Sequence, residues 1–293
     1  MNKLKVNPML KKEILVSVRS IKLTVLMLIF NIILAAIGLL IFSSVLETVR
    51  WSGRLDYSST VSLYITLLVI EFILLAFIVP AITAGTISGE RERQTLDILL
   101  STSLSPSRII SGKLMSSIIS VILLIISSMP VISLIFIFGG VSGGDILTSV
   151  LFLIFITVYA GAIGIACSAR FKKTTTATVA AYGSVLFLGI GTLFLVGILC
   201  VTASIRYPYE SNIGLFSLIL LLNPAVSLMN LILKQVGSAS DFSSGLQEIG
   251  VPGFMSDHWL IISTIVQILF ILLLLIWSVK RLNPVKKKGR GNH

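Results

Sequence analysis

The chain has 293 residues, of which 55% are hydrophobic and only 12% charged, with a mean hydropathy of +1.03 and a net charge of +11. The surface of a soluble domain needs about a quarter charged residues, so a soluble enzyme or binding module is excluded and an all-α polytopic membrane protein remains. Cys167 and Cys200 fall in or at the ends of apolar runs without metal-ligand spacing, which argues against a disulfide framework or a zinc site.

In chain order, the first element predicted is an amphipathic interfacial helix over 7–22. Asn7 is placed to cap it and Pro8 to start it. Leu10, Ile14, Val18 and Ile21 then fall on one face, with Lys11, Lys12, Arg19 and Lys22 elsewhere. The same residues also fit a cytoplasmic extension of the first span. Crossing a bilayer takes ~20 helical residues, and apolar runs of that order predict six transmembrane helices, over 23–45, 61–88, 114–138, 146–168, 177–203 and 260–279. The first is a retained span, because no small-residue cleavage site follows it. Between the fifth and sixth spans, 213–233 holds two apolar pieces split by Asn223-Pro224, each too short to cross alone. This region is predicted to dip in from the outer face and return as a re-entrant pair. Residues 237–257 read as an outer loop.

The basic residues orient these spans, since Lys and Arg in short loops stay on the cytoplasmic side. With both termini inside, the basic residues of the N-terminal segment, those at Arg91, Arg93, Arg108 and Lys113, those at Arg170, Lys172 and Lys173, and those from Lys280 to Arg290 all face the cytoplasm. The outer side keeps only Arg50, Arg54, Arg206 and Lys234. Basic residues confined to loops beside spans make the charge a topology signal, so nucleic acid is not an expected partner.

The stretch Ser88-Gly89-Glu90-Arg91-Glu92-Arg93-Gln94-Thr95-Leu96-Asp97-Ile98-Leu99-Leu100 interrupts the lipid-soluble chain with dense charge. Gly89 loosens the exit from the second span, and Glu90 and Glu92 suit the positive N-terminal end of a new helix. Leu96, Leu99 and Leu100 recur at helical spacing opposite Arg93 and Asp97. Ser105-Pro106 then starts the next helix. These residues alone fit either a short amphipathic helix across the ends of two spans or an ordinary solvated loop. Gly85 and Gly89 have a spacing that permits close helix packing.

The run ISGERERQTLDILLSTSLSPSRIISGKL, Ile87 to Leu114, closely resembles the signature of permease subunits of ABC transporters in the type-2 exporter family. That signature is a charged Glu-rich turn, a Thr-Leu, a Leu-Leu pair, a Ser- or Pro-containing turn and a Gly-Lys in this order. Family members often have Gly where Gln94 stands, and Arg or Gln before Thr-Leu-Asp is a familiar variant. The RFKKTTTAT stretch from Arg170 to Thr178 and the layout of spans also look like that family. The resemblance implies a coupling helix region over 89–104 whose Glu90, Arg91, Glu92, Arg93, Thr95, Leu96, Asp97, Leu99 and Leu100 dock into a separate ATPase. It implies two ATPase subunits, a second permease subunit, identical or related, and residence in the bacterial cytoplasmic membrane. No cofactor is expected on this chain, with ATP and Mg held by the partner ATPase. In agreement, Gly112-Lys113 is followed by Leu114 and no Gly stands five residues before Gly112, so no phosphate-cradling loop is present.

Glu71 lies near the middle of the second span, where a carboxylate costs about 3 kcal/mol on insertion scales and normally faces protein or a watery cavity. It reads either as a substrate or proton contact or as a neutral Glu bonded to a helix bearing Tyr159, Tyr182 or Gln267. A secondary transporter or channel built on Glu71 is the alternative function, although no internal repeat supports it. An intramembrane enzyme is weaker, because His258 and His293 are the only histidines and no paired-carboxylate arrangement exists. The apolar composition favours an apolar or amphipathic export substrate, a peptide, drug or lipid.

Overall fold

The computed structural model describes residues 20–53, 57–96, 101, 105–137, 141–206 and 214–282. The interfacial helix predicted over 7–22 falls almost wholly outside them, as do Asp97, Leu99, Leu100 and the basic C-terminal tail. The described residues form helices and no strand. Among the described residues, six helical stretches are long and apolar enough to cross a membrane: Ile21–Trp51, Ser58–Glu92, Pro106–Ser133, Gly143–Arg170, Thr174–Ala203 and Trp259–Leu282. The chain is therefore a multi-pass membrane protein whose backbone groups are satisfied within helices, as a hydrocarbon solvent requires.

The elements are α1 (Ile21–Ser52), α2 (Tyr57–Thr83), α3 (Gly85–Glu92), α4 (Pro106–Ile137), α5 (Gly143–Arg170) and α6 (Thr174–Leu186). A π-helical turn, Phe187–Gly191, joins α6 to α7 (Thr192–Arg206). After α8 (Gly214–Ser217) comes a 3-10 segment, Leu218–Leu222, then α9 (Pro224–Val236), α10 (Ala239–Glu248), α11 (Gly253–Asp257) and α12 (Trp259–Leu282).

Helix α5 is the centre of the bundle and packs against α2, α3, α4, α6, α9 and α12. Its start is fixed by a capping box, in which the Ser142 hydroxyl accepts from the Asp145 N–H and the Asp145 carboxylate accepts from the Ser142 N–H. Small residues explain its central place. A Cβ added at Gly164 would fall on the Thr83 hydroxyl, and one at Gly161 would lie 3.2 Å from Cδ1 of Leu114. Backbone thus meets side chain directly where α2 and α4 cross α5, the packing that small residues permit between apolar helices. Within the most apolar stretch of α5, 72% of residues are buried, against 11% in the first and fifth spans. The first and fifth spans therefore present their apolar faces outward.

The second span does not end at the membrane run. Pro80 lies inside α2, and the Ala84 N–H still reaches the Pro80 carbonyl at 2.9 Å, so only Ala84 separates α2 from α3. This corrects the expectation that Glu90 and Glu92 open a new helix. They sit in the last turn of α3, because Gly89 is accommodated within the helix beside Thr174 rather than breaking it. The helix stops instead at Gln94, which has φ of 59°. The Thr95 N–H bonds the Glu90 carbonyl and the Gln94 N–H bonds the Arg91 carbonyl, which is the Schellman pattern of a helix C-terminus.

The apolar pieces around Asn223-Pro224 are short helices. Asn223 caps α9, its Oδ1 accepting from the Ala225 and Val226 N–H groups, and Pro224 takes the first helical position. The 3-10 segment leaves carbonyls that side chains satisfy: Gln267 donates to the Leu221 carbonyl at 3.0 Å and Tyr159 donates to that of Leu222 at 2.8 Å. Gln235, near the end of α9, places its amide nitrogen 3.0 Å from the Asp145 carbonyl and from the Thr148 and Ser149 hydroxyls, which ties α9 to the start of α5.

Candidate functional site

Two features along the second span stand out, one at its charged end and one at its middle. The first is the junction built around α3. A helix beginning at Gly85 leaves its first N–H groups without intrahelical partners. The buried Ser168 hydroxyl, from α5, accepts from the Ile87 and Ser88 N–H groups at 2.9 Å each and so caps α3 from a neighbouring helix. In return, Arg91 donates to the Phe171 carbonyl at 2.9 Å and the Ala169 carbonyl at 3.3 Å, satisfying acceptors at the end of α5. Glu92 accepts from the Thr174 hydroxyl at 2.7 Å and its N–H at 3.3 Å, which caps the start of α6. Glu90 pairs with Lys113 of α4 at 2.6 Å, with the lysine side chain 9% exposed. Three consecutive charged residues on one turn therefore hold three different helices, two of them at their ends.

Beneath these polar contacts lies an apolar cluster of Ile87, Leu96, Ile110, Leu114, Ile165 and Leu282. Leu96 is only 5% exposed within it. Arg93, Gln94 and Thr95 face outward.

The second feature is a cavity of about 560 Å³ between α2, α5, the π-helical turn and α9. Its walls include Val69, Phe72, Phe77, Ile190, Leu228 and Ile232, and no charged side chain among the described residues lines it. The Tyr159 hydroxyl, on one wall, is already committed to the Leu222 carbonyl. A guest here meets hydrocarbon, and an unpaired charge would be penalised by desolvation without compensation.

The sequence matches the model of the ABC-2 family transporter protein over residues 8–279. That match covers nearly the whole chain. The chain belongs to the ABC-2 transporter family. No curated protein matches it. ABC-2 membrane proteins are generally non-catalytic subunits that work with ATPase partners.

The ABC-2 assignment gives the charged junction its interest, and the geometry divides the residues expected to dock an ATPase. Glu90, Arg91 and Glu92 are engaged with α4, α5 and α6 of their own chain. Leu96 is packed in the bundle rather than offered outward. Arg93 and Thr95 are exposed, although the Thr95 hydroxyl donates to the Glu90 carbonyl. Asp97, Leu99 and Leu100 lie outside the described residues. Sequence reasoning missed Ser168 as a cap and Thr174 as a carboxylate partner, since a serine or threonine near a helix end carries no sign of which neighbouring helix it will serve. Lys113 was visible as part of the Gly-Lys pair, but its partner was not.

Glu71 is fully buried and meets a residue the sequence did not suggest. Its Oε1 lies 2.6 Å from the Ser128 hydroxyl of α4, which also contacts the Ile125 carbonyl at 2.7 Å. The expected partners are used elsewhere: Tyr182 donates to the Phe77 carbonyl, Tyr159 to Leu222, and Gln267 to Leu221 and the Ser227 hydroxyl. One residue along α4, Ser127 accepts from Asn31 of α1 at 2.8 Å, so neighbouring serines tie α4 to two spans. Glu71 does not line the cavity.

Proposed function

We propose that this ABC-2 chain is the membrane subunit of an ATP-driven exporter for an apolar or amphipathic substrate, a peptide, drug or lipid. The observation that carries this reading is that α3 follows α2 with only Ala84 between them, within one apolar stretch Ser58–Glu92. This pair of helices lines the cavity with Val69, Phe72 and Phe77 of α2 and ends in the charged turn of α3. Only Ala84 separates the two, so a displacement of α3 is passed to the helix that forms the cavity wall.

In this reading both termini and α3 face the cytoplasm of a bacterial cell, and the pieces around Asn223 form the re-entrant element of the outer half. Two ATPase subunits, which hold ATP and Mg, dock on the exposed tip at Arg93 and Thr95, together with Asp97, Leu99 and Leu100. Glu90, Arg91, Glu92 and Leu96 act one layer inward, joining that tip to the bundle. ATP can bias paired permease subunits, identical or related, only if the closed ATPase pair favours one arrangement of the α3 tips over another. The placement of Glu71 against Ser128, off the cavity, gives no support to an ATP-independent transporter built on that carboxyl.

The test is purification of the tagged chain from its native membranes, with ATP hydrolysis and efflux of a lipophilic dye measured in reconstituted vesicles. A co-purifying ATPase, ATP-dependent efflux, and loss of the ATPase on Arg93→Glu with the membrane chain still monodisperse are expected. Retention of the ATPase by that variant would remove the docking assignment. Dye efflux that persists without ATP or the ATPase would transfer the function to the ATP-independent class.

A further inference from the structure

The fifth span is interrupted where it borders the cavity. The Thr192 N–H bonds the Phe187 carbonyl, five residues back, which inserts one extra residue into the turn. Such a turn strands carbonyls, and here two side chains take them. The Thr192 hydroxyl donates to the Leu188 carbonyl at 2.8 Å, and the Asn223 amide donates to the Gly189 carbonyl at 2.7 Å. The same amide nitrogen donates to the Thr192 hydroxyl oxygen at 2.8 Å. Asn223 is fully buried, and its Oδ1 is occupied in capping α9. One side chain thus joins the start of α9 to the bulge. Gly189 and Ile190 on one side, and Pro224 and Ala225 on the other, all line the cavity.

We infer that Asn223 is a positioning residue that holds the fifth span in its bulged register and so decides which face of α7 is turned into the bundle. Removing one residue's worth of bulge rotates everything beyond it by about 100°. In the bulged register Val196 is 5% exposed and packs against Leu220, Leu221 and Trp259, while Leu195 is 41% exposed. Regular α-helix would pass the inward place of Val196 to Leu195 and carry Val196 outward. The bulge is held by side chains at a cavity wall, where such turns are frequent at functional sites. The register of α7 and the seating of α9 therefore change together. The bearing of this latch on transport rests on the function proposed above, but its geometry does not.

The experiment uses the full chain in detergent with Cys167 and Cys200 replaced by alanine. A single reporter, Val196→Cys or Leu195→Cys, is read by its rate of labelling with a small neutral maleimide. Asn223→Ser keeps a good helix cap for α9 but is too short to donate to both Gly189 and Thr192. Thr192→Val breaks the latch from the other side. Each variant is expected to raise labelling at 196 several-fold and to lower it at 195, a reciprocal change that loosened packing does not produce. Unchanged rates at both reporters, or rates rising together, would overturn the assignment. If one variant does not fold, the other decides. A reciprocal change in a chain that shows no ATP-dependent efflux would leave the latch standing and remove the transport reading instead.

Discussion

Ser168 and Arg91 cap each other's helices: the Ser168 hydroxyl accepts two N–H groups from the first turn of α3, and Arg91 returns two bonds to carbonyls at the end of α5. The exchange adds directional polar bonds to the apolar cluster of Ile87, Leu96 and Ile165 beneath it. Losing a side-chain cap costs about 1–2 kcal/mol, and here the donors left behind are buried. Ser168→Ala is therefore expected to lower the thermal stability of the purified chain by that order and to raise amide exchange at Ile87 and Ser88. Protection unchanged at those two amides would show that the hydroxyl is dispensable.

The Glu90–Lys113 pair is short and partly shielded, so each partner is worth more than a surface charge. Hydrogen bonds to charged groups contribute on the order of 1.5–3 kcal/mol. Lys113→Ala and Glu90→Ala are each expected to cost about that much, and the double variant less than their sum. Strict additivity in a double-mutant cycle on thermal unfolding would place the two residues outside direct contact.

Gly164 is expected to tolerate no side chain. A methyl there falls on the Thr83 hydroxyl, and Thr83 is held by its own bond to the Val79 carbonyl. Overpacking costs about 1–3 kcal/mol, so Gly164→Ala should lower the melting temperature, and Thr83→Ala in the same chain should restore part of it. An unaffected Gly164→Ala protein would mean that α2 and α5 separate freely at this crossing.

Gln94 holds a left-handed conformation that costs a residue with a Cβ about 1–2 kcal/mol. Gly at that position is expected to be neutral or stabilising, and Gln94→Val to destabilise, with loss of the exposed tip from Arg93 to Thr95. The measurement is limited proteolysis between α3 and α4. Equal cleavage rates for the glycine and valine variants would contradict the strain.

Glu71→Gln is expected to leave both folding and dye efflux unchanged, because the amide can donate to Ser128 and free that hydroxyl for Ile125. Glu71→Ala removes a buried partner and opens a void, at a cost of about 2–4 kcal/mol. Efflux abolished by the glutamine variant with the complex intact would make the carboxyl a functional contact after all.

The spans and the charged interruption were legible in the sequence because apolar length and charge density are local properties. The break at Asn223-Pro224 was legible as a split between two short apolar pieces, but the cap that Asn223 places on α9 was not read there. What stayed hidden were reciprocal contacts between distant residues. Glu90 and Glu92 carry charges that suit a helix N-terminus, and Glu92 does serve one, but it is that of α6 rather than its own. Leu96 has the spacing of a docking anchor, but the Schellman turn at Gln94 swings it back into the bundle. The π-helical turn left only two glycines and a phenylalanine as a trace, too little to distinguish it from continuous α-helix.

The central place of α5 has a consequence for how the chain is made. Its partners α2, α3 and α4 precede it, whereas α6, α9 and α12 follow. Since synthesis delivers segments from the N-terminus, α5 meets half of its final surroundings on arrival and must wait for the rest. When α5 first inserts, the Leu222 carbonyl that Tyr159 will bond has not been made, and Phe270 and Ile271 of α12, which pack beside Tyr159 and Ile163, come later still. The insertion order thus gives the most buried helix an early anchor at Thr83 and Ser168, and leaves its other side to be completed by the last span.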